Sequence, residues 1–232
     1  TRDMLAAGRA IQALLNSSRG LFEQLIAAER LECEWDRKGL LFVFKTPEHF
    51  EHYAHTDELM RREFNMPAKR FDAGQLAALE PALKDGMAGG YLYESDAHLR
   101  PDKLMSELKR VLLVSGVEIR EREAASGFAS SAGKATALQT SAGAVPADAF
   151  VLATGAWTPQ LNRALGCNVP IQPGKGYSLT MPRPALCPAY PLIFEEHRVA
   201  VTPFASGYRL GSTMEFGGYD DTLNRSRLSL LT

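Results

Sequence analysis

The feature that most constrains the fold is an apolar run that ends in a turn of small residues, Val151-Leu152-Ala153-Thr154-Gly155-Ala156-Trp157-Thr158-Pro159. Residues 149–153 are apolar at every position, which predicts a buried strand of a parallel sheet covered on both faces. Ligands of open α/β sheets lie beyond the carboxyl ends of such strands, where small residues let a ligand approach the backbone. The run therefore predicts a ligand-binding turn, and an ordinary strand-to-helix turn with a packed tryptophan stays open as the alternative.

The residues just before this run predict an α/β block. Pro101 can begin a helix with an apolar face, and Gly116 stands where a helix C-terminal glycine belongs. We expect a strand at Val117-Glu118-Ile119 directly after it, as in an α/β unit. Glycines then punctuate short strands, which predicts a β-meander over Phe128 to Ala144.

The first 95 residues predict helices with a few strands. A long helix carries Ile11, Leu14, Leu15, Phe22, Leu25 and Ile26 at helical spacing, and Gly20 is expected to bend or break it. The other predicted elements are a strand at Gly39–Lys45, a helix from the N-cap Thr46 to about Phe64, a short helix capped by Asp72 and ending before Pro81, and a strand at Ala88–Glu94.

The last part of the chain, from about Pro170 to Asp221, predicts an antiparallel sheet. Its candidate strands are Tyr177–Met181, Val199–Thr202 and Tyr208–Ser212, separated by prolines and glycines. The order of blocks indicates two interleaved domains, in which the first and last blocks jointly form one. The expected fold class is mixed α/β and α+β.

Composition excludes several classes of protein. The net charge is -1, with 45% apolar and 23% charged residues, so no global field would attract nucleic acid or an anionic membrane, and nucleic acid is not an expected partner. The cysteines, Cys33, Cys167 and Cys187, are too few and too scattered for a disulfide framework or a zinc site. Their odd number fits a reducing compartment, so we expect a cytoplasmic protein.

Five segments of the chain are to be considered together: His98-Leu99-Arg100-Pro101 with the helix and strand after it, the Ala153–Trp157 turn, Pro173–Thr180, Val201–Phe204 and Arg209–Phe216. In this order along the chain, they resemble segments of the D-amino-acid oxidase superfamily of FAD-dependent oxidoreductases. The Lys-Gly-Tyr-Ser-Leu-Thr and Leu-Gly-Ser-Thr-Met-Glu-Phe runs are most similar to bacterial D-amino-acid dehydrogenases. The resemblance covers nearly the whole chain and rests on the order and spacing of the segments.

The resemblance implies a division of the chain. Residues 96–165 would be part of a Rossmann-like FAD-binding domain. Residues 1–95 and 166–232 would form the two parts of a substrate domain, built on an antiparallel or mixed sheet with flanking helices. The helical pattern at Thr1-Arg2-Asp3-Met4 and the helix start at residues 228–232 do not resemble natural termini, so we expect an excised piece of a longer protein.

The resemblance also implies site residues. Ala153, Thr154, Gly155, Ala156 and Trp157 would lie behind the flavin. The backbone near Ala125 would lie by the adenine, and Tyr177, Ala200 and Met214 would line or adjoin the pocket of an amino-acid substrate. No catalytic acid or base is nominated, because the amine can bind already deprotonated and the cofactor carries the chemistry.

The chemistry implied is oxidation of an amino-acid carbon–nitrogen bond to an imine, with hydride transfer to flavin and release of ammonia and an oxo acid. Two family features are missing: the N-terminal Gly-x-Gly-x-x-Gly turn that cradles the pyrophosphate, and the final arginine–proline and glycine-rich segments. We therefore expect this piece alone to be inactive. An incomplete flavin domain would expose apolar surface, which favours association, including a homo-oligomer.

Alternatives remain open at this point. One is a glycine, sarcosine or proline oxidase-like enzyme of the same superfamily, and another is a non-catalytic binding module that kept the substrate-domain fold. The electron acceptor could be oxygen or a quinone; relatives of the dehydrogenase type imply peripheral contact with the inner face of the bacterial membrane.

Three histidines at a spacing of three residues, His49, His52 and His55, are the nearest approach to a metal motif. At the α-helical period they fan out over about 120° of helix surface, and their neighbours are polar, which favours a solvated face. We predict that adding zinc broadens none of their proton resonances in an NMR titration. Selective broadening of all three at equimolar zinc would contradict this interpretation.

Overall fold

The computed structural model describes residues 2–229 and residue 231. The chain divides into two compact units. The larger unit takes its residues from Thr1–Ser115, Tyr177–Thr213 and Asn224–Thr232, and the smaller unit comprises Gly116–Gly176 and Met214–Leu223. Helices and strands alternate irregularly in the chain, which confirms the expected mixed α/β and α+β class.

The helices are α1 (Arg2–Glu29), α2 (Pro47–Phe64), α3 (Ala73–Leu79), α4 (Pro101–Val114), α5 (Asn162–Leu165) and α6 (Arg225–Leu228). The strands are β1 (Leu40–Phe44), β2 (Lys69–Asp72), β3 (Gly89–Tyr93), β4 (Ala125–Ser131), β5 (Lys134–Thr140), β6 (Gly143–Pro146), β7 (Lys175–Met181), β8 (Leu192–Phe194), β9 (Val199–Phe204) and β10 (Gly207–Glu215). A 3-10 helix spans Gly155–Leu161.

A seven-stranded mixed sheet forms the body of the larger unit, in the order β2-β3-β1-β8-β9-β10-β7. The pairs β2–β3, β3–β1, β8–β9 and β9–β10 are antiparallel, and β1–β8 is parallel. The parallel junction is short: Leu41 lies opposite Leu192 and Val43 opposite Phe194. A carboxylate oxygen of Glu196 extends it by accepting the backbone N–H groups of Lys45 (2.9 Å) and Thr46 (3.1 Å).

The two faces of this sheet are buried differently, because successive side chains of a strand point to opposite sides. One face carries an aliphatic core of Leu41, Val43, Leu76, Leu92, Leu192 and Val201. The other carries an aromatic core of Phe44, Phe50, Tyr91 and Tyr93, with Phe42 and Tyr53 packed against it. The pairs Phe42–Tyr53 and Phe44–Tyr53 have ring centroids 5.5 Å and 5.0 Å apart. These aromatic residues are core, as the sequence analysis predicts.

Helix boundaries follow the capping signals of the sequence. Thr46 accepts a hydrogen bond from the backbone N–H of His49, and α2 ends at Asn65 in the left-handed conformation. Asp72 and Gln75 form a reciprocal capping box at the start of α3. The predicted cap positions at Thr46 and Asp72 are therefore confirmed.

Helix α1 runs unbroken through Gly20, so a break there, one of the two predicted possibilities, is wrong. A glycine in a helix interior costs only about 1 kcal/mol relative to alanine. Packing along the helix outweighs that cost: Phe22 and Ile26 contact the cluster of Leu31, Cys33 and Leu104.

Among the described residues, no helix combines the length and the apolar character that crossing a bilayer requires.

A buried carboxylate joins α3 to the segment before β8. Glu80 is 1% exposed, and its Oε2 accepts the backbone N–H groups of Ala189 (2.7 Å) and Tyr190 (3.1 Å). The buried carboxylate needs donors, and it finds them in two N–H groups of a loop that has no strand partner there. Glu80 thereby fixes the position from which β8 begins.

A polar network fixes the turn between β9 and β10. Ser206 in that turn donates its hydroxyl and its N–H group to Glu34, and it accepts a hydrogen bond from Arg100. Lys103 Nζ lies 2.6 Å from Glu34 Oε1, and Arg100 Nε donates to both oxygens of Asp102. The network therefore ties the start of α4 and the loop before β1 to the β9–β10 hairpin.

The smaller unit contains a three-stranded antiparallel meander, in the order β4-β5-β6, as the sequence predicts. Two predicted strands of this unit are wrong. Residues 117–119 and 149–153 form no strand, and Val151 is 91% exposed rather than buried. A parallel strand is stable only when neighbouring strands accept its backbone hydrogen bonds. No described strand pairs with either segment.

We predict that Glu80→Ala destabilises the larger unit, because it leaves two part-buried N–H groups without their acceptor. Such a loss costs about 1–3 kcal/mol in free energy of unfolding, measured by urea denaturation. The matched control is Glu48→Ala, which removes an exposed carboxylate of α2. Equal, small effects of the two substitutions would contradict the role given to Glu80.

We predict an acid-sensitive contribution from Glu34. Burial alone would raise the pKa of this carboxyl, but hydrogen bonds from Lys103 and Ser206 lower it from 4.5 to about 2. A depressed pKa means that the stabilisation is present above about pH 4.5 and is lost as the pH falls towards 2. Glu34→Gln should therefore flatten the fall in stability over this range, measured by denaturation at a series of pH values. A profile as steep as that of the unsubstituted protein would contradict this.

Candidate functional site

The predicted ligand-binding turn lies at the start of the 3-10 helix of the smaller unit. The hydroxyl groups of Thr154 and Thr158 are 2.9 Å apart, and the N–H of Trp157 donates to the Thr154 carbonyl at 3.0 Å. Gly155 has φ +52°, a left-handed conformation that favours glycine. Trp157 is 64% exposed, so the packed tryptophan of the alternative interpretation is not found.

A second segment of the smaller unit holds this turn in place. Tyr219 donates its hydroxyl to the carbonyl of Ala156 at 2.9 Å. The segment around Tyr219 is fixed in turn by Lys175, whose Nζ donates to the carbonyls of Asp220 (3.0 Å) and Thr222 (2.6 Å) and pairs with Glu215 (2.6 Å). The Lys175 cluster and the predicted turn therefore form one connected structure.

A cavity of about 420 Å³ adjoins this turn in the smaller unit. Its lining includes Phe128, Phe150, Leu152, Arg163, Ala164 and Gly166. Phe128 and Phe150 meet edge to face, with ring centroids 5.7 Å apart. The cavity thus combines apolar aromatic walls with one guanidinium. None of the predicted cofactor residues lines it, although Leu152 directly precedes Ala153.

The turn fits a role behind a flat ligand such as a flavin nucleotide. A side chain added at Gly155 would meet nothing within 4 Å, so the space next to the backbone is open. Ala153, Thr154 and Ala156 are small, and Trp157 offers an exposed aromatic surface. The chain has no Gly-x-Gly-x-x-Gly run, so these residues fit a contribution to such a site and do not make up a pyrophosphate cradle.

The remaining predicted cofactor residue, Ala125, begins β4. It is exposed and pairs with Thr140 across the meander, next to an irregularity in the register between Ala125 and Gly127. Its backbone is thus at a strand end, where it is accessible. Its proximity to adenine stays a prediction.

Two of the three predicted substrate residues belong to the larger unit. Tyr177 is 4% exposed, and its hydroxyl accepts the backbone N–H of Asn224 at 3.1 Å. Ala200 of β9 is exposed and lies opposite Ile193 and Gly211 on the neighbouring strands. Met214, the third, belongs to the smaller unit, where it is 60% exposed and its sulfur would lie 3.0 Å from a Cβ added at Gly174.

Ala200 lies on a polar surface of the sheet that the sequence analysis does not identify. Strand alternation places on this surface Ser178, Thr180, Ala200, Thr202, Arg209 and Gly211, here called the open face. Arg209 lies opposite Thr202 and donates from Nε to the hydroxyl of Thr180 at 2.8 Å. The signal that could have revealed it is the alternation of Tyr208 and Leu210, which face the core, with Arg209 and Gly211.

The described residues give no cluster of three or more metal-ligating side chains. His49, His52 and His55 are exposed on α2, in agreement with the solvated face expected for them.

The hydroxyl groups of Tyr53 and Tyr93 lie 3.4 Å apart within the aromatic core, and burial raises the pKa of both. These phenols are therefore neutral structural groups at physiological pH.

Comparison with curated proteins finds D-amino acid dehydrogenases among the relatives of this chain. The chain is 32% identical over 234 residues to the D-amino acid dehydrogenase of Methylobacterium nodulans, covering 97% of this chain and 54% of the relative. It is 31% identical over 220 residues to the D-amino acid dehydrogenase of Paramagnetospirillum magneticum, covering 92% of this chain and 52% of the relative. The chain therefore spans about half the length of these relatives.

Solved structures share the fold. The glycine oxidase of Bacillus cereus superposes with a TM-score of 0.83 at 22% identity, covering 94% of this chain and 60% of that one. The L-proline dehydrogenase of P. horikoshii gives a TM-score of 0.75 at 19% identity, covering 93% of this chain and 59% of that one. At these identities the likeness concerns the fold.

A family model described as FAD dependent oxidoreductase matches residues 2–231, which is nearly the whole chain. The matched range includes residues of both units. The chain belongs to the FAD-dependent oxidoreductase family of the D-amino-acid oxidase type.

Proposed function

We propose that this chain is part of an FAD-dependent oxidoreductase that oxidatively deaminates D-amino acids to oxo acids and ammonia. The observation that carries the proposal is the similarity to D-amino acid dehydrogenases, which extends over 97% of the chain at 32% identity. The Lys175–Thr180 and Leu210–Phe216 runs, on which the resemblance to such enzymes rests, lie in or directly after β7 and β10. The proposal therefore concerns the complete protein, of which this chain is a portion.

The proposed division of labour follows the blocks of the sequence. Residues 96–165 contribute to the FAD-binding domain, with Ala153–Trp157 behind the flavin and Ala125 near the adenine. Residues 1–95 and 166–232 contribute to the substrate domain, with Tyr177, Ala200 and Met214 at or near the substrate. The exposed Trp157 and the open space at Gly155 support the first part, and the exposed position of Ala200 on the open face supports the second.

FAD, when bound, supplies the acceptor for the hydride that leaves the α-carbon of the amino acid. The residues of this chain bind and orient. The hydroxyl groups of Thr154 and Thr158 are hydrogen-bonded to each other, and Tyr219 donates to the Ala156 carbonyl, so contacts within this chain hold the turn. No side chain of this chain is proposed as acid or base, and we propose that this chain alone is inactive.

Two alternatives to this proposal can be tested by the choice of substrate. The first is a glycine, sarcosine or proline oxidase-like activity, whose only support is the fold that this chain shares with the glycine oxidase and L-proline dehydrogenase structures. A non-catalytic binding module would keep the sheet of the larger unit without flavin chemistry. The electron acceptor, oxygen or quinone, is a separate question that oxygen uptake during turnover answers.

We predict that the native full-length protein has a flavin absorption spectrum that bleaches on anaerobic addition of D-amino acids. The matched control is the L-enantiomer of each amino acid, which should leave the spectrum unchanged. Bleaching by glycine, sarcosine or proline, without bleaching by the D-enantiomers of other amino acids, would favour the first alternative. A colourless protein that takes up no added FAD would overturn the enzyme proposal.

We predict that Gly155→Val in the native protein raises the dissociation constant of FAD about tenfold or more, because a branched side chain disfavours positive φ and fills the space beside the turn. Tenfold corresponds to about 1.4 kcal/mol. Gly20→Val is the control, since Gly20 of α1 has neither a positive φ nor a neighbour within 4 Å of an added Cβ. FAD titration followed by fluorescence quenching measures both, and equal affinities would remove Gly155 from the flavin site.

A further inference from the structure

The carbonyl of Ala156, in the turn predicted to lie behind the flavin, lacks the donor that a 3-10 helix normally supplies. In such a helix each carbonyl accepts the N–H of the third residue along the chain. For Ala156 that residue is Pro159, which has no N–H. The hydroxyl of Tyr219 donates to this carbonyl instead, at 2.9 Å. A side chain 63 positions away in sequence therefore completes the hydrogen bonding of the turn.

The segment that carries Tyr219 has no regular structure of its own, and a lysine holds it. Residues 216–224 form neither helix nor strand. Lys175 Nζ donates to the backbone carbonyls of Asp220 at 3.0 Å and Thr222 at 2.6 Å, and it pairs with the Glu215 carboxylate at 2.6 Å. These three oxygens match the three donors of an ammonium group. The position of Tyr219 is therefore set by contacts on both sides of it in sequence.

The ion pair at the centre of this arrangement is largely shielded from water. The side chain of Lys175 is 23% exposed, and that of Glu215 is 17% exposed. A partly buried pair is screened less than one at the open surface, and removing one partner leaves the other without compensation. The ammonium of Lys175 therefore fixes the segment more firmly than an exposed ion pair would.

We infer that Lys175 and Tyr219 are positioning residues of the FAD site, which set the conformation of the turn at Gly155–Trp157 and thereby the affinity for FAD. This inference rests on the proposed function, under which the turn lies behind the flavin. Lys175 acts through the segment 215–222, and Tyr219 acts through the Ala156 carbonyl, so neither has to contact the flavin. Loss of either contact frees this carbonyl and widens the range of conformations that the turn can adopt.

The test uses the native full-length protein, freed of its flavin and titrated with FAD. Tyr219→Phe removes only a hydroxyl, so it should raise the Kd of FAD about 3- to 10-fold, the range for loss of one neutral hydrogen bond. Lys175→Met removes a charged donor and should raise the Kd about tenfold or more. Because both side chains act on the same carbonyl, the double variant should bind FAD about as well as Lys175→Met alone.

Further measurements separate positioning from loss of charge and from loss of the fold. Lys134→Met removes an exposed lysine of β5 in the same unit and should leave the Kd of FAD unchanged. Lys175→Arg keeps a charged donor and should bind FAD more tightly than Lys175→Met. With FAD at saturation, the visible circular dichroism of the flavin should change in Tyr219→Phe, because that signal depends on the asymmetric contacts around the ring. A thermal melt of flavin-free Tyr219→Phe close to that of the unsubstituted protein excludes unfolding as the cause.

Several results would overturn the inference. They are an unchanged Kd of FAD in Tyr219→Phe and Lys175→Met, an equal loss of affinity in Lys134→Met, effects that add fully in the double variant, or an unchanged visible circular dichroism in both single variants. Bleaching by D-amino acids together with unchanged FAD affinity in both variants would overturn this inference alone. Weakened FAD binding in both variants of a protein that no D-amino acid bleaches would overturn the proposed function and leave the positioning role standing.

Discussion

The larger unit depends on one short parallel contact between β1 and β8. It joins two groups of neighbouring strands, β2-β3-β1 and β8-β9-β10-β7, that would otherwise be separate sheets. Only three residue pairs form it, and the backbone hydrogen bond from Leu41 to the Pro191 carbonyl, at 2.9 Å, adds to them. The contact is stable because Leu41, Val43 and Leu192 are almost fully buried in the aliphatic core, and because Glu80 and Glu196 hold the loops at its two ends.

Local signals in the sequence were sufficient for most elements of this fold. Thr46 and Asp72 define helix starts through side-chain hydrogen bonds within a few residues, and Pro47 favours the first helical position through its fixed φ. Because these effects are local, they do not depend on the rest of the fold. β8 and β2 were not predicted. β8 has only three residues, and β2 has one aromatic residue among three charged ones, Lys69-Arg70-Phe71-Asp72, so neither shows a strand pattern. The strand order depends on the pairing of β1 with β8, which are distant in sequence, and no local pattern encodes it.

The candidate site shows the same limit. The turn at Thr154–Trp157 was predicted from its small residues, and its backbone conformation agrees. The strand before it was predicted from apolar composition, which reports a tendency to be buried but does not supply the neighbouring strands that burial needs. Arg209 was missed because a lone arginine in a strand has no local meaning. Its interest comes from Phe204 and Thr180 on the adjacent strands, which only the folded sheet brings together.

The edge strand β2 has a consequence for association of the folded protein. An exposed strand edge offers unpaired N–H and C=O groups to any other extended chain. β2 is only four residues long, and its Lys69 and Arg70 are held by Glu94 and Glu51, with Arg70 also over the ring of Phe50 at 4.5 Å. A second strand docking along this edge would have to separate these ion pairs and place its backbone beside the charges of Lys69 and Arg70. The sheet is thereby discouraged from growing edge to edge on this side.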